Sequence, residues 1–171
     1  MDNFDIIGSI ITFALGLSFG GAAAFYTMKD KLQQQQQANA MRRIGLLEQV
    51  AQHTGKVSHV FSKYSSLVNE IGPKVERMSP KQERELESLS AQLVEVYEEV
   101  SIAESKLLLL GEQKLEKALK LYTTKMAQYR KQVYPGRYSN VDEAKQIKKE
   151  VSQMREQFYD ILSQRYDQKI S

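Results

Sequence analysis

The chain has no cysteine. That removes disulfides, thiolate nucleophiles and cysteine metal sites together. Histidine occurs twice, as His53 and His59, and a six-residue separation does not place two side chains on one helix face. A di-iron carboxylate bundle needs Glu-x-x-His motifs, but Val50 and Lys56 stand three residues before the two histidines. Gly55-Lys56 has the look of the end of a phosphate loop, yet Val57 replaces the required Ser or Thr and position 50 is Val rather than Gly. The adjacent Glu98 and Glu99 diverge on a helix, which suits a solvated face better than a carboxylate pair. With no nucleophile–base pair, glycine-rich loop or ligand cluster, the sequence predicts no enzymatic activity, no metal and no cofactor. Three prolines and nine glycines in 171 residues leave long stretches with nothing to interrupt a helix, so an all-α fold is expected.

One stretch lacks charge entirely. From Ile6 to Met28 there are 23 residues without a formal charge, about 34 Å of helix at 1.5 Å per residue. A hydrocarbon core is roughly 30 Å thick, and the segment is read as a single N-terminal transmembrane helix. A cleaved secretory signal is the main alternative, with Ala22-Ala23-Ala24 as its cleavage site, but the leading MDNFD is acidic where a signal is basic. A buried helix of a soluble domain fits less well, because 23 uncharged residues exceed what a small bundle hides. Cytoplasmic flanks accumulate Lys and Arg. Here Lys29, Lys31, Arg42 and Arg43 follow the span while only Asp2 and Asp5 precede it, so the tail of residues 1–5 is expected outside and the rest in the cytoplasm. Within the span, Gly8, Thr12, Gly16, Gly20 and Ala24 recur every fourth residue. Small side chains let helix backbones approach closely in lipid, which points to self-association or a partner helix.

The remaining 140-odd residues suffice for one compact domain. Net charge is +3, pI is near 8.9, and 26% of residues are charged, so nothing demands a polyanion and nucleic acid is not an expected partner. Residues 29–43 form a basic, Gln-rich neck, with five glutamines at 33–37 read as a weakly packed helical extension. Four helices are predicted in residues 44–171. The first, about 44–71, carries Leu46, Val50, His53, Val57, Val60, Tyr64, Leu67 and Ile71 at alternating spacings of three and four, and stops at Gly72-Pro73. Ser79-Pro80-Lys81-Gln82 is a capping box opening the second, about 80–110. At Gly111 the seam slips by one residue, which suits a left-handed helix end, although one continuous helix over 80–133 is the competing reading. The third helix, about 112–133, ends at Tyr134-Pro135-Gly136, and Asn140-Val141-Asp142-Glu143 caps the fourth, about 141–168. Together they read as an up-down antiparallel bundle, or coiled coil.

Charge is unevenly spread along the bundle. Between Glu83 and Glu104 seven glutamates face one arginine, and between Gln113 and Arg137 seven basic residues face one glutamate. These blocks attract when the two helices fold into a hairpin, at about 0.2–1 kcal/mol per exposed pair. His53, on the predicted seam, is a candidate pH-sensitive group, because imidazole titrates near neutrality. Arg130, Lys131, Tyr134, Arg137 and Tyr138 surround the last turn and, with Lys74 and Arg77, form a candidate cationic tip for an acidic protein partner. A solvated turn explains the same residues.

The run Leu108-Leu109-Leu110-Gly111-Glu112-Gln113-Lys114-Leu115, with Met154-Arg155 in the last helix, is similar to small helical proteins of bacteria and phages that carry a membrane helix ahead of a helix-Gly-helix break. The likeness covers about residues 85–165, and Glu112 stands where Ser or Asp is usual. It implies a bacterial inner-membrane setting and no assigned activity. The expected function is a membrane-anchored scaffold or adaptor that binds the bilayer, itself and an unidentified protein. The alternative is a membrane-active effector, of the phage lysis or toxin-immunity kind, acting through oligomerisation of its span.

Overall fold

A computed structural model describes residues 3–71, 79–134, 137–138 and 141–170, and the side chains of 28–71, 79–132 and 143–168. Among the described residues the chain is all-helical apart from one pair of two-residue strands. Its elements are α1 (Asn3–Ile71), α2 (Pro80–Glu95), α3 (Tyr97–Leu110), α4 (Gln113–Gln132), β1 (Val133–Tyr134), β2 (Arg137–Tyr138) and α5 (Val141–Ile170). It divides into two compact units, Met1–Arg42 and Arg43–Ser171.

The first unit is the N-terminal part of α1. Gln33–Gln37 are helical and exposed, as are Met28, Leu32 and Met41. Among the described residues no helix is long and apolar enough to cross a membrane. The backbone is helical through residues 6–28, but the side chains of 1–27, including Gly8, Thr12, Gly16, Gly20 and Ala24, lie outside the described residues. The fold itself therefore gives the expected spanning helix no support.

The second unit is a four-helix bundle in which α2 and α3 together make one kinked helix. Neighbours run antiparallel: Gln49 of α1 meets Lys106 of α3, Tyr97 of α3 meets Thr123 of α4, Lys125 of α4 meets Glu150 of α5, and Tyr166 of α5 meets Glu48 of α1. The core is one cluster running the length of the bundle. Leu93, Leu107, Leu115, Leu119 and Met126 from α2–α4 are fully buried with Val57, Tyr64 and Phe158. Each such side chain contributes about 1.5–3 kcal/mol by leaving water. Aromatic rings fill the middle: Phe61 and Tyr64 meet Tyr129 edge-on at 5.4 and 6.3 Å, and Tyr122 stacks on Phe158 at 6.4 Å. Offset and edge-on geometries of this kind are the favoured ones.

The seams of α2–α4 follow the predicted periodicity, and that of α1 does so in part: Val50, Val57, Tyr64, Leu67 and Ile71 are buried as expected, but a second buried column lies beside them. Leu47, Thr54, Phe61 and Val68, seven residues apart, are all buried alongside Val50, Val57, Tyr64 and Ile71, while Leu46, His53 and Val60 are only half-buried on the flank. Thr54 hid the true column, because a polar residue at its centre made Leu46 and Val60 look like the better seam.

Two local features set the path of the chain. Ser79 opens α2 with the expected capping box: its hydroxyl accepts from Gln82 N at 3.3 Å, and Gln82 Oε1 accepts from Ser79 N at 3.1 Å. At the far end Gly111 adopts φ 72°, with Gly111 N donating to Leu108 O and Glu112 N to Leu107 O, both at 3.0 Å. This is a Schellman closure, so residues 80–133 are not one rod. A further interruption that the periodicity does not reveal falls at Val96 (ψ −6°), between α2 and α3.

Gly111 and Gly55 make opposite predictions. Neither would bring a new Cβ within 4 Å of another atom, but only Gly111 has positive φ. Gly111→Ala is expected to cost about 1–2 kcal/mol through backbone strain alone. Gly55→Ala, in mid-helix, is expected to stabilise by about 0.5–1 kcal/mol. Urea unfolding of the two variants checks this, and shifts of the same sign would contradict it.

Candidate interaction surface

Polar groups along the helices fall into three places: a cluster at the Gly111 end, a cluster on the α1–α3 flank, and the end where α4 turns into α5. At the Gly111 end, the C-cap turn delivers Glu112 into the bundle, 8% exposed. Arg165 of α5 donates Nε to Glu112 Oε2 at 3.1 Å, and Arg43 of α1 lies 3.9 Å from Oε1 while donating Nη2 to Leu110 O at 2.9 Å. Arg43, expected among the membrane-flanking cations, is thus drawn into the bundle end. Lys29, Lys31 and Arg42 remain exposed.

On the flank, the carboxylate of Glu99 in α3 accepts from His53 Nδ1 and from Lys56 Nζ at 2.8 Å, both on α1. The hydrogen bond from His53, followed by that from Lys56, holds the Glu99 carboxyl below its ordinary value of 4.5. His53, half-buried, is therefore a partner in a trio at the helix–helix border and not a lone group in the seam. Inside the core, burial pushes the phenols of Tyr122 and Tyr129 up to about 12. Tyr122 OH shares a hydrogen bond with Ser58 Oγ at 2.8 Å.

The predicted cationic tip is only partly drawn together. Arg130 donates Nε to Ser90 Oγ at 2.9 Å and is half-buried, while Lys131 is exposed. Tyr134 and Arg137 face each other in the β1–β2 pair, as do Val133 and Tyr138. The side chains of Tyr134, Arg137 and Tyr138, the residues Lys74 and Arg77, and the Asn140 cap lie outside the described residues.

No match is found for this chain among protein families, curated proteins or solved structures. Its surface must be read from its own residues.

The charge blocks do not pair as the hairpin argument expects. Among the described residues no ion pair joins α2–α3 to α4: Glu99 bonds α1, Lys125 meets Glu150 of α5 at 2.6 Å, and Lys120 pairs with Glu116 of its own helix. Burial is the main hold on the hairpin, and across it Glu104 of α3 acts on Lys120 of α4 through longer-range attraction. The same hairpin carries an apolar surface that the sequence reading did not single out. Val94, Ile102, Leu108, Leu109 and Leu121 are exposed, the last two by 81% and 56%, and they are the large exposed apolar side chains described in the bundle unit. The signal was present in the four-leucine run at 107–110, of which a bundle seam can bury only Leu107 and Leu110.

The Glu99 trio predicts an acid-limb signature. A depressed carboxyl pKa stabilises the fold above the unfolded value and loses that contribution as pH falls through the folded one. Stability of the parent chain should therefore fall faster below about pH 4.5 than that of Glu99→Gln, and the two curves should converge. A constant gap between the curves from neutral to acid pH would contradict the assignment.

Proposed function

We propose that the chain is a non-enzymatic, single-pass membrane-anchored scaffold or adaptor. Residues 6–28 span the inner membrane with the N-terminus outside, and the helical bundle presents a cytoplasmic surface to a protein partner. Association of spans through Gly8, Thr12, Gly16, Gly20 and Ala24 belongs to the same reading. The observation that carries it is the run of 23 uncharged residues, continuous in one helix, α1, with the first helix of the bundle. Burying so much apolar surface calls for a bilayer or an equally apolar partner, and the basic residues on its C-terminal side alone set the topology. Confinement to a membrane would act by raising the effective concentration of whatever the bundle binds.

Full-length protein in native membranes is expected to resist carbonate extraction, and a protease added outside the cell is expected to leave residues 44–171 intact. Gly16→Arg places a charge at the centre of the span at a cost of about 2.5–3.5 kcal/mol of insertion and should shift protein into the soluble fraction. Parent protein that washes off with carbonate, or a bundle digested from outside, would overturn the proposal.

A further inference from the structure

We infer that the α3–α4 turn is a lipid contact: Leu108 and Leu109 enter the interface of an anionic membrane while Lys114 and Lys117 engage its headgroups. The bundle seam takes only two of the four leucines at 107–110, burying Leu107 and Leu110 to 0% and 8% exposure. Leu108 and Leu109, in the last turn of α3 before Gly111, are 60% and 81% exposed. Burial sorts the charges around them. Residues 105–121 hold two carboxylates and four lysines. Glu112 is turned inward to Arg43 and Arg165, and Glu116, 6% exposed, pairs with Lys120 of its own helix. Lys106 is half-buried and donates Nζ to Gln49 Oε1 at 2.8 Å, which leaves Lys114 and Lys117 exposed beside the turn. The surface of the turn therefore shows leucines and ammonium groups without an exposed carboxylate. An anionic interface binds that combination, because it buries the apolar groups and attracts the cations.

Chain connectivity points to a bilayer as the occupant independently of charge. Arg43 Nη2 donates to Leu110 O at 2.9 Å, so the end of the unit that carries the leucines is also the end at which its chain begins. Only fourteen residues, 29–42, separate Arg43 from the run of 23 uncharged residues, about 21 Å as helix. The headgroup layer extends about 5–7 Å beyond the hydrocarbon, and contact follows when the neck leans over the surface instead of standing upright on it. The distribution of exposed apolar groups agrees. Among the described residues none of the large ones lies in 44–93, 122–132 or 143–168. The inference rests on the proposed anchor in residues 6–28.

Because the chain has no cysteine, a single Leu109→Cys substitution carries one environment-sensitive fluorophore. The full-length chain is reconstituted into vesicles of phosphatidylcholine, with or without phosphatidylglycerol, that contain nitroxide-labelled lipid. Unchanged helicity verifies the fold. In the anionic vesicles the label at 109 is expected to shift to the blue and to be quenched by the nitroxide lipid, whereas a label at Ser152→Cys, exposed on α5, stays in water. Lys114→Ala with Lys117→Ala should weaken the contact about 30-fold, and added salt should weaken it in the parent. A blue-shifted label that lipid does not quench would mean that protein covers the leucines, and would overturn the inference. Quenching that is equal with and without phosphatidylglycerol would overturn it as well. Flotation of the same samples in carbonate reads the anchor separately. A chain that floats with its label in water overturns the inference alone, and a chain that does not float overturns the anchor together with it.

Discussion

The carboxylate of Glu112, buried at one end of the bundle, depends on two arginines brought from opposite ends of the folded unit's sequence. Removing a carboxylate from water is costly unless its partners arrive with it, and here they come from the first residue of the unit, Arg43, and from the last turns of α5. The left-handed Gly111 makes this possible, because its turn directs residue 112 inward at the point where the chain reverses. One residue with positive φ and one buried charge thus align the end of α3, the start of α4, the last turns of α5 and the Arg43 stretch of α1. The aromatic layer of Phe61, Tyr64, Tyr122, Tyr129 and Phe158 fills the space that this alignment creates.

The reversal also shapes the surface. Because α3 and α4 are adjacent and antiparallel, their opposite charges come to lie in neighbouring rows instead of being separated across the bundle. Apart from Lys120–Glu116 within α4, the ion pairs described for α3 and α4 run to the flanking helices, from Glu99 to α1 and from Lys125 to α5. The outward rows keep their charges and their exposed aliphatics.

Much of this was legible in the sequence where periodicity and end signals agree. Leu115, Leu119, Tyr122, Met126 and Tyr129 are spaced as a buried seam and are one, and Ser79 with Gln82 forms the capping box that its pattern predicts. The one-residue slip at Gly111 marked a true chain reversal. What was hidden depended on contacts between distant residues. The buried column of α1 contains Thr54, Ser58 and Ser65, whose polarity disguises it, and this moved His53 from the seam to a border where Glu99 reaches it. Arg43 reads as one cation among four until Glu112, 69 positions later, is folded against it. The kink at Val96 has neither proline nor glycine to announce it, and a polar partner for Arg130 on α2 cannot be read from spacing within α4.

Native-state hydrogen exchange on Glu112→Gln tests the central claim most directly. If Glu112 ties α1, α5 and the α3–α4 turn together, the amides of α1 near residues 43–50 and of α5 near 160–168 lose protection together with those flanking Gly111, while the aromatic middle of the bundle keeps its own. Loss of protection confined to the α3–α4 turn, with the ends of α1 and α5 unchanged, would contradict it.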